Sequence, residues 1–538
     1  MPYIKAQKVK RDSEGRVVSG SAAIIDARYV PGEGHHVAGT VRERLGRVGQ
    51  LSEDGRSGVF RSPTRGLVRY DADADEIEPV ERGDGTIADE SCEFPEPQAH
   101  VVAGAVLLLL HILEKRGVLA VLRAAFPAEA EYERCLAHLP RSDLSSARVV
   151  GCDDFFSTTA ASHLLPKVSA PSLRSDSAYF HAMGSDDAKV SFFKALVSEM
   201  RSRDEGFGTC CYVDSTPLPN DARNNPLDAL CSHGTDGTKP RARLGLVLDS
   251  GRGVPTWYEL VPGNLLDHST LESLREDVSA TLGVTVDSAT LDAGYVTREL
   301  VTGKMRYLAR MPAKRGYPTR KSPGAKVKQQ PDRGKHALVH NGHTYFGRRL
   351  GQEVFGTGSR LYVYVDKDNA LSHLHQVLTE DPDAYEALLE RDKDWEGVRG
   401  GFFVLISNRE PMTPKEALDE YFCRLDIESF FKTSKDCLDL LPLAKWTETA
   451  VRGKILHDVI CTVALLEVRR AIAEAGKSWA PKALFGKASS VMCVRSGGSL
   501  VLETPNRQAR EWSAALGYKF PARVDVESYR KDVLGIGK

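Results

Sequence analysis

The residues whose types and spacing most clearly suggest a catalytic or binding site are Tyr421, Arg424, Glu428 and Lys435. On a helix that turns by about 100° per residue, their spacing places all four on one narrow stripe. A carboxylate on that stripe could hold a divalent metal ion while the Arg and Lys grip phosphates, and the Tyr could orient or stack. A solvated helix face with charge pairs at (i, i+3) and (i, i+4) explains the pattern about equally well.

A helix must carry this stripe, and the residues before it predict where that helix begins. Thr413 suits the N-cap, Pro414 the first helical position and Glu416 the capping-box position. Pro442 bounds the other end. We therefore expect one helix to run from Pro414 past Lys435.

Two further acids, Asp214 and Asp292, follow short apolar runs that are typical of buried strands. An acid at a strand end is costly to bury unpaired, so it either caps a turn or binds a cation. With Glu428 they form a set of three oxygen donors, which suits two Mg²⁺ or Mn²⁺ ions about 3.5 to 4 Å apart. Strand-like runs at 244–248, 256–261 and 306–309, with a helix at 269–282, surround the two aspartates and predict a mixed α/β core.

Together these residues resemble the DDE transposases of bacterial insertion sequences, whose core is ribonuclease H-like. The family signature Y-x2-R-x3-E-x6-K is met by Tyr421, Arg424, Glu428 and Lys435. Asp214 is followed by Ser215 and Thr216, as the first acid of the family typically is, and Asp292 stands in the second position, in LDAGY. The long separation of Asp292 from Glu428 resembles the cut-and-paste subgroup, which has a β-strand insertion between these acids.

The resemblance implies a function for each of these residues. Asp214, Asp292 and Glu428 would be the catalytic acids and would coordinate two Mg²⁺ (or Mn²⁺) ions. Tyr421, Arg424 and Lys435 would bind DNA. Water would attack at the transposon end, the freed 3′-OH would attack target DNA, and a homodimer would hold both ends in one synaptic complex. Trp395 either holds a flipped base, as an aromatic does in some relatives, or packs on the surface; the latter is favoured.

Local charge divides the chain more clearly than composition does. Residues 1–70 carry 13 Lys/Arg and 7 Asp/Glu, residues 71–100 carry 11 acids and one Arg, and residues 301–350 carry 13 bases and one acid. The last window also holds tyrosines, a mixture expected where phosphates are neutralised and bases stack, although a solvated lysine-rich loop has the same composition. The predicted organisation is a basic β-rich domain that binds DNA ends (1–70), an acidic linker (71–100), a helical domain (101–205), the first part of the catalytic core (206–310), a basic β-rich insertion (311–405), the second part of the core with Glu428 (406–475) and a C-terminal region that could mediate dimerisation (476–538).

The whole chain of 538 residues has a formal net charge of -1, so bulk charge does not argue for nucleic acid or a membrane. Its most apolar run, 101–113, is too short for a membrane span, and neither a CxxC pair nor a phosphate-binding glycine loop occurs. We therefore expect a cytoplasmic bacterial protein without a membrane partner, associated with the nucleoid when it is bound to DNA. The expected fold class is α/β: a ribonuclease H-like mixed sheet flanked by helices, with a β-rich insertion and a helical and β N-terminal region. Two rival functions stay open, a non-catalytic DNA-binding descendant and a metal-dependent nuclease on the same fold.

Overall fold

The chain folds as two compact units, Met1–Ala99 and His100–Lys538. The structure, a computed structural model, describes most of each unit. The described residues are 2–11, 17–29, 37–52, 54–62, 65–80, 100–144, 156–166, 168, 173–219, 225–230, 240–264, 267–312, 335–354, 358–391, 401–424, 427–428, 430–433 and 447–537.

The first unit is an antiparallel meander in which each described strand pairs with the next. Its core lies on one face of the sheet, where Phe60, Val68 and Tyr70 are fully buried. Val68 and Tyr70 alternate with more exposed residues, the period-2 pattern of a strand with one buried face. The strands are β1 (Pro2–Arg11), β2 (Val17–Tyr29), β3 (Val37–Leu51), β4 (Ser57–Ser62), β5 (Gly66–Asp71) and β6 (Glu76–Pro79).

The boundary of this unit differs from the predicted one. Residues 76–79, which were expected to belong to the acidic linker, form β6 and pair with β5. The tight turn between β5 and β6 explains the difference, because its aspartates cap the turn: Asp71 accepts the backbone N–H groups of Asp73 and Ala74. The rest of the predicted linker, 81–99, lies outside the described residues.

The second unit is built on a large mixed sheet. Among the described residues its strand order is β11-β10-β8-β12-β13-β17-β16-β15-β14, with β9 paired to β10. These strands are β8 (Cys210–Pro219), β9 (Ala229–Leu230), β10 (Pro240–Asp249), β11 (Pro255–Pro262), β12 (Ser288–Leu291), β13 (Arg306–Arg310), β14 (Ala337–His340), β15 (His343–Val354), β16 (Ser359–Asp366) and β17 (Phe402–Ser407).

One half of this sheet, which we call the core half, consists of β8 and β10 to β13. Here β8, β10 and β11 are antiparallel neighbours, whereas β12 runs parallel to β8 and β13 runs parallel to β12. In chain order this is the arrangement 3-2-1-4-5, with three antiparallel strands followed by two parallel ones, which is the topology of a ribonuclease H-like core. The predicted mixed α/β fold class is confirmed.

The other half, β14 to β17, is the insertion half. Strand β17 pairs antiparallel with β13, so the insertion extends the core sheet instead of forming a separate β domain. It is not purely β, because two helices lie between β16 and β17: α9 (Lys367–Glu380) and α10 (Pro382–Arg391). The predicted boundary at 405 falls inside β17.

Helices surround the sheet, and one of them is buried along most of its length. This is α12 (Glu448–Glu474), which packs against α1, α3 and α5. Its contact with α5 requires glycine at 453, because an added Cβ would overlap the carbonyl oxygen of Phe180. The other helices are α1 (Gly104–Lys115), α2 (Val118–Ala125), α3 (Glu129–Leu144), α4 (Ala161–Leu164), α5 (Leu173–Met183), α6 (Asp186–Arg203), α7 (Asp267–Leu282), α8 (Arg298–Thr302), α11 (Pro414–Cys423), α13 (Pro481–Ala488), α14 (Arg507–Ala515) and α15 (Val526–Tyr529).

The C-terminal region shares its core with the helical region that was predicted as a separate domain. Arg530 bonds to Glu133 of α3 and to the carbonyl oxygen of Leu164, and Tyr132 donates to the carbonyl oxygen of Leu534. A small sheet joins the same two regions in the order β20-β19-β18-β7. Its strands are β7 (Val101–Val102), β18 (Met492–Ser496), β19 (Ser499–Leu502) and β20 (Arg523–Asp525).

Across the described part of the chain, no helix combines the length and the apolarity that a membrane span needs. The apolar run that begins at Val101 contributes instead to the hydrophobic core, with Leu107, Leu108 and Leu109 of α1 fully buried.

Candidate active site

Backbone register brings Asp214 and Asp292 side by side. Strands β8 and β12 are parallel, and Val213 is paired with Leu291, so the two aspartates are the next residues on adjacent strands. Asp292 directly follows β12, as predicted. Asp214 is not at a strand end: β8 continues to Pro219, because β10 remains available as an antiparallel partner after β12 has ended.

Strand β13 places a cation beside the two aspartates, at the carboxyl end of these parallel strands. It runs parallel to β12 with Leu291 paired to Ala309, so Arg310 follows in register with Asp292. Arg310 is exposed. The edge of the core half therefore presents, in order, two carboxylates and one guanidinium.

Helix α11 carries the third group of residues, and it begins where the sequence predicts. The Thr413 side chain accepts the N–H of Glu416, the Glu416 side chain accepts the N–H of Thr413, and Pro414 occupies the first turn. Two buried tyrosines of the insertion half anchor this end. Tyr364 donates to the carbonyl oxygen of Pro414 at 2.7 Å, and the hydroxyl of Tyr362 accepts the N–H of Met412 at 3.1 Å.

The prediction of one uninterrupted helix through Lys435 is wrong, because α11 ends at Cys423. Arg424 caps it: its N–H bonds to the carbonyl oxygen of Tyr421, and its own carbonyl oxygen accepts the N–H of Ile427. Arg424 itself adopts a turn, and the next described residues, Ile427 and Glu428, are helical. The side chains of Tyr421, Arg424 and Glu428 meet nonetheless.

Arg424 is the centre of the site. Its guanidinium lies 2.7 Å from a carboxylate oxygen of Asp214, 3.2 Å from one of Glu428 and 3.9 Å from one of Asp292. The Arg424 side chain is only 10% exposed, whereas those of Asp292 and Glu428 are 43% and 52% exposed. The three predicted acids therefore converge on one buried guanidinium, and two of them, Asp292 and Glu428, are about half exposed to solvent.

Tyr421 joins the helix to the second acid. Its hydroxyl donates to Asp292 at 3.2 Å, and its ring lies 5.4 Å from the guanidinium carbon of Arg424. Burial, together with the charge of Asp292, raises the pKa of Tyr421 to about 12, so the tyrosine stays neutral and can donate. Burial alone would lower the pKa of Arg424, but Tyr421 and the three carboxylates raise it above its usual value.

The structure brings five of the predicted site residues together but does not test the sixth. Lys435 lies outside the described residues, as does Trp395. Tyr421 and Arg424, predicted as DNA contacts, are buried and directed at the acids. Their contact with DNA stays a prediction.

Sequence reasoning missed the residues that fix α11 to the core half. Arg409 pairs with Glu420 of α11 and donates to the hydroxyl of Thr290 in β12 at 3.1 Å. Asn408 accepts the N–H of Tyr307, which is in β13, and donates to the carbonyl oxygen of Met305, which directly precedes β13. The only sequence signal was a polar pair after an apolar strand, which does not identify partners more than 100 residues away.

The donor set suits a hard divalent cation, since all three ligands are carboxylates and they already surround a positive charge. In this arrangement they surround a large guanidinium, and they are not drawn together as ligands of a small ion would be. Among the described residues, ligand atoms that all lie within 4.8 Å of one another occur elsewhere, in His343, Asp366 and Asp368. Those carboxylates have other roles: Asp366 caps α9 through Asn369, and Asp368 accepts the N–H of Thr344.

Comparisons with known proteins give little. No family model matches the chain, and no curated protein does. A solved structure, the cryo-EM structure of a piggyBac transposase synaptic complex with hairpin DNA, is 9% identical and covers 71% of this chain and 79% of its own, with a TM-score of 0.38. A TM-score that low supports no inference about the site.

Proposed function

We propose that this chain is a DDE transposase that cuts and joins DNA by two-metal phosphodiester chemistry, in cut-and-paste transposition. The observation that carries the proposal is the convergence of Asp214, Asp292 and Glu428 on a single cation position. They come from three elements that are distant in sequence, and two of them, Asp214 and Asp292, lie at neighbouring positions of adjacent parallel strands in a ribonuclease H-like sheet.

In this proposal Asp214, Asp292 and Glu428 are the catalytic acids and hold two Mg²⁺ or Mn²⁺ ions. When bound, such ions activate the attacking oxygen and stabilise the leaving one. The chain's own residues position the acids: Tyr421 orients Asp292 by a hydrogen bond, and Arg409 fixes α11 against β12. Arg310, Arg424 and Lys435 are the cations that would neutralise DNA phosphates beside the cut.

The proposed partners are the terminal inverted repeats of the element and a target DNA. In this proposal the basic N-terminal unit recognises the terminal repeats. Its strands carry many of its arginines, including Arg44, Arg47 and Arg61. Two ends must be cut in one complex, so we propose a homodimer, with the C-terminal region as the dimerisation surface. Such a protein would work in a bacterial cytoplasm, on the nucleoid.

The test is incubation of the purified full chain with Mg²⁺ and a DNA that carries both flanks of its own gene. We expect the wild type to release the segment and join its 3′ ends to a target plasmid. Glu428→Gln and Asp214→Ala should lose both steps, by about 1,000-fold or more if the acids act as a unit. Glu410→Gln, which neutralises an exposed acid outside the site, is the matched control and should remain active.

The same experiment separates the two rivals. Metal-dependent cutting without joining would favour a nuclease on this fold. Binding to the flanks with no metal-dependent product would favour a non-catalytic descendant. The three acids argue against the second rival, because a protein that no longer cuts has no need to keep three carboxylates facing one position.

A further inference from the structure

Arg424 occupies the place where the proposed function needs a metal ion. Its guanidinium contacts two of the three acids at hydrogen-bond distance and the third at 3.9 Å. Two like charges cannot share that position, because the guanidinium occupies the space between the three carboxylates that a divalent ion shared by them would need. Metal binding must therefore displace Arg424.

The site still attracts cations electrostatically while Arg424 is bound between the three acids. Three carboxylates and one guanidinium leave a formal charge of 1 − 3 = −2 at the site. Asp292 and Glu428 are about half exposed, so an ion can reach them from solvent before the contact between Arg424 and Asp214 breaks. The exchange can thus proceed in steps.

Arg424 is also held in a way that allows it to leave. It is the residue that caps α11 and adopts a turn, so its own backbone lies outside that helix. Its Nε is buried and has no hydrogen-bond partner among the described residues. An unsatisfied buried N–H raises the free energy of the seated state.

A phosphate acceptor would lie close to the released guanidinium. Arg310 stands in register beside Asp292 and is exposed at the same edge, so a DNA backbone that approaches the acids already meets one cation there. A guanidinium binds phosphate through two parallel hydrogen bonds. Arg424, once displaced, would be a second such ligand.

We propose that Arg424 is a metal-displaced residue: it holds the three acids together in the ion-free protein and, when a divalent ion takes its place, turns to a phosphate of the DNA backbone. Ion binding and DNA binding are then positively coupled through one side chain, and the coupling acts equally in both directions. This inference rests on the proposed function, since it takes the acids to be the metal site.

The first test is a titration of the DNA-free full chain with Mn²⁺. The concentration of unbound Mn²⁺ is measured at each step from its electron paramagnetic resonance signal. Arg424→Gln removes the competing cation, so Mn²⁺ should bind about tenfold more tightly than to the wild type, because one charge-assisted contact no longer has to be broken. Arg424→Lys should fall between the two. Arg306→Gln, an exposed arginine at the other end of β13, is the control and should match the wild type.

The outcomes separate this inference from the proposed function. If Asp214→Asn weakens Mn²⁺ binding but Arg424→Gln leaves it unchanged or weaker, the acids bind metal and the displacement is wrong. If Asp214→Asn has no effect on Mn²⁺ binding, both proposals fall. Circular dichroism and melting temperature show whether Arg424→Gln is folded, and Arg424→Lys tests the inference if it is not.

The second test measures coupling without cleavage. The affinity of a labelled duplex of the element's end is measured by fluorescence anisotropy in Ca²⁺ and in EDTA at equal ionic strength. Wild type should bind the duplex several-fold more tightly in Ca²⁺, and Arg424→Gln should lose most of that gain. An equal gain in both proteins would overturn the coupling.

Discussion

The two halves of the large sheet hold the site in different ways. In the core half the backbone positions the site residues: parallel register places Asp214 and Asp292 next to each other, and the residues before them are fully buried. In the insertion half, side-chain contacts position the site residues. A few tyrosine, asparagine and arginine contacts hold α11, and with it its capping residue Arg424, against the sheet.

This difference predicts different consequences for substitutions in each half. A register can be lost only when the strands themselves separate, so changes in the core half should lower global stability. A side-chain contact can be lost while the fold remains, so changes in the insertion half should alter the geometry of the acids and hence metal binding. The insertion half then helps to position the three acids of the candidate site.

The largest effect on stability is expected in the core half. Leu291 is fully buried next to Asp292, so Leu291→Ala should lower the free energy of unfolding by about 2 to 5 kcal/mol. Chemical denaturation, monitored by tryptophan fluorescence, measures this free energy of unfolding. Leu371→Ala, at a leucine of α9 that is 47% exposed, should cost less than about 0.5 kcal/mol. Equal losses would contradict the inference that burial of Leu291 beside Asp292 stabilises the core half.

A smaller effect, of a different kind, is expected at the junction of the halves. Arg409→Ala removes the contacts to Glu420 and Thr290, which should weaken Mn²⁺ binding by the acids by about 1.5 to 3 kcal/mol, the range for hydrogen bonds to charged groups. The same Mn²⁺ titration checks this. Lys415→Ala removes an exposed pair with Asp419 on the same helix and should leave binding unchanged. A similar loss in both variants would show that α11 responds to any change in charge.

Tyr364→Phe sharpens the comparison further, because it deletes one hydroxyl and keeps the ring. Loss of the hydrogen bond to the carbonyl oxygen of Pro414 should reduce the free energy that holds the start of α11 in place by about 1 kcal/mol. If α11 is positioned as described, Mn²⁺ binding should weaken while the denaturation midpoint moves little. Hydrogen exchange at the start of α11 measures the local loosening. Unchanged exchange there would mean that this tyrosine does not position the helix.

The smallest effect is a pH dependence at Tyr421. Its pKa is raised to about 12 from an ordinary value of about 10, so the neutral phenol stabilises the folded state fully below pH 10, and this contribution is lost as the pH rises towards 12. Tyr421→Phe should therefore lose less stability than the wild type between pH 10 and pH 12. Melting temperatures at intervals of half a pH unit make the comparison. Parallel curves would contradict the assigned pKa.

Much of the core half could be predicted from sequence, because its signals are local. Short apolar runs that end at Asp214 and Asp292 indicate strands, and Thr413, Pro414 and Glu416 indicate a helix start through neighbours only three residues apart. The spacing of Tyr421, Arg424 and Glu428 also placed them on one side, and they do meet.

The rest depends on contacts that sequence spacing does not encode. At the break in α11, the guanidinium of Arg424 contacts Asp214, a residue 210 positions earlier in the chain. The length of β8 past Asp214 is set by its pairing with β10. The union of the insertion with the core sheet depends on β13 and β17, strands almost 100 residues apart, and no local pattern indicates it.

The most direct test of the exchange of Arg424 for a metal ion is a crystal structure of the full chain soaked in Mn²⁺, with the ion located by its anomalous scattering. We expect Mn²⁺ among Asp214, Asp292 and Glu428, with the guanidinium of Arg424 displaced from all three. Arg424 still seated on Asp214, with Mn²⁺ absent from the site or bound instead at His343, Asp366 and Asp368, would contradict it.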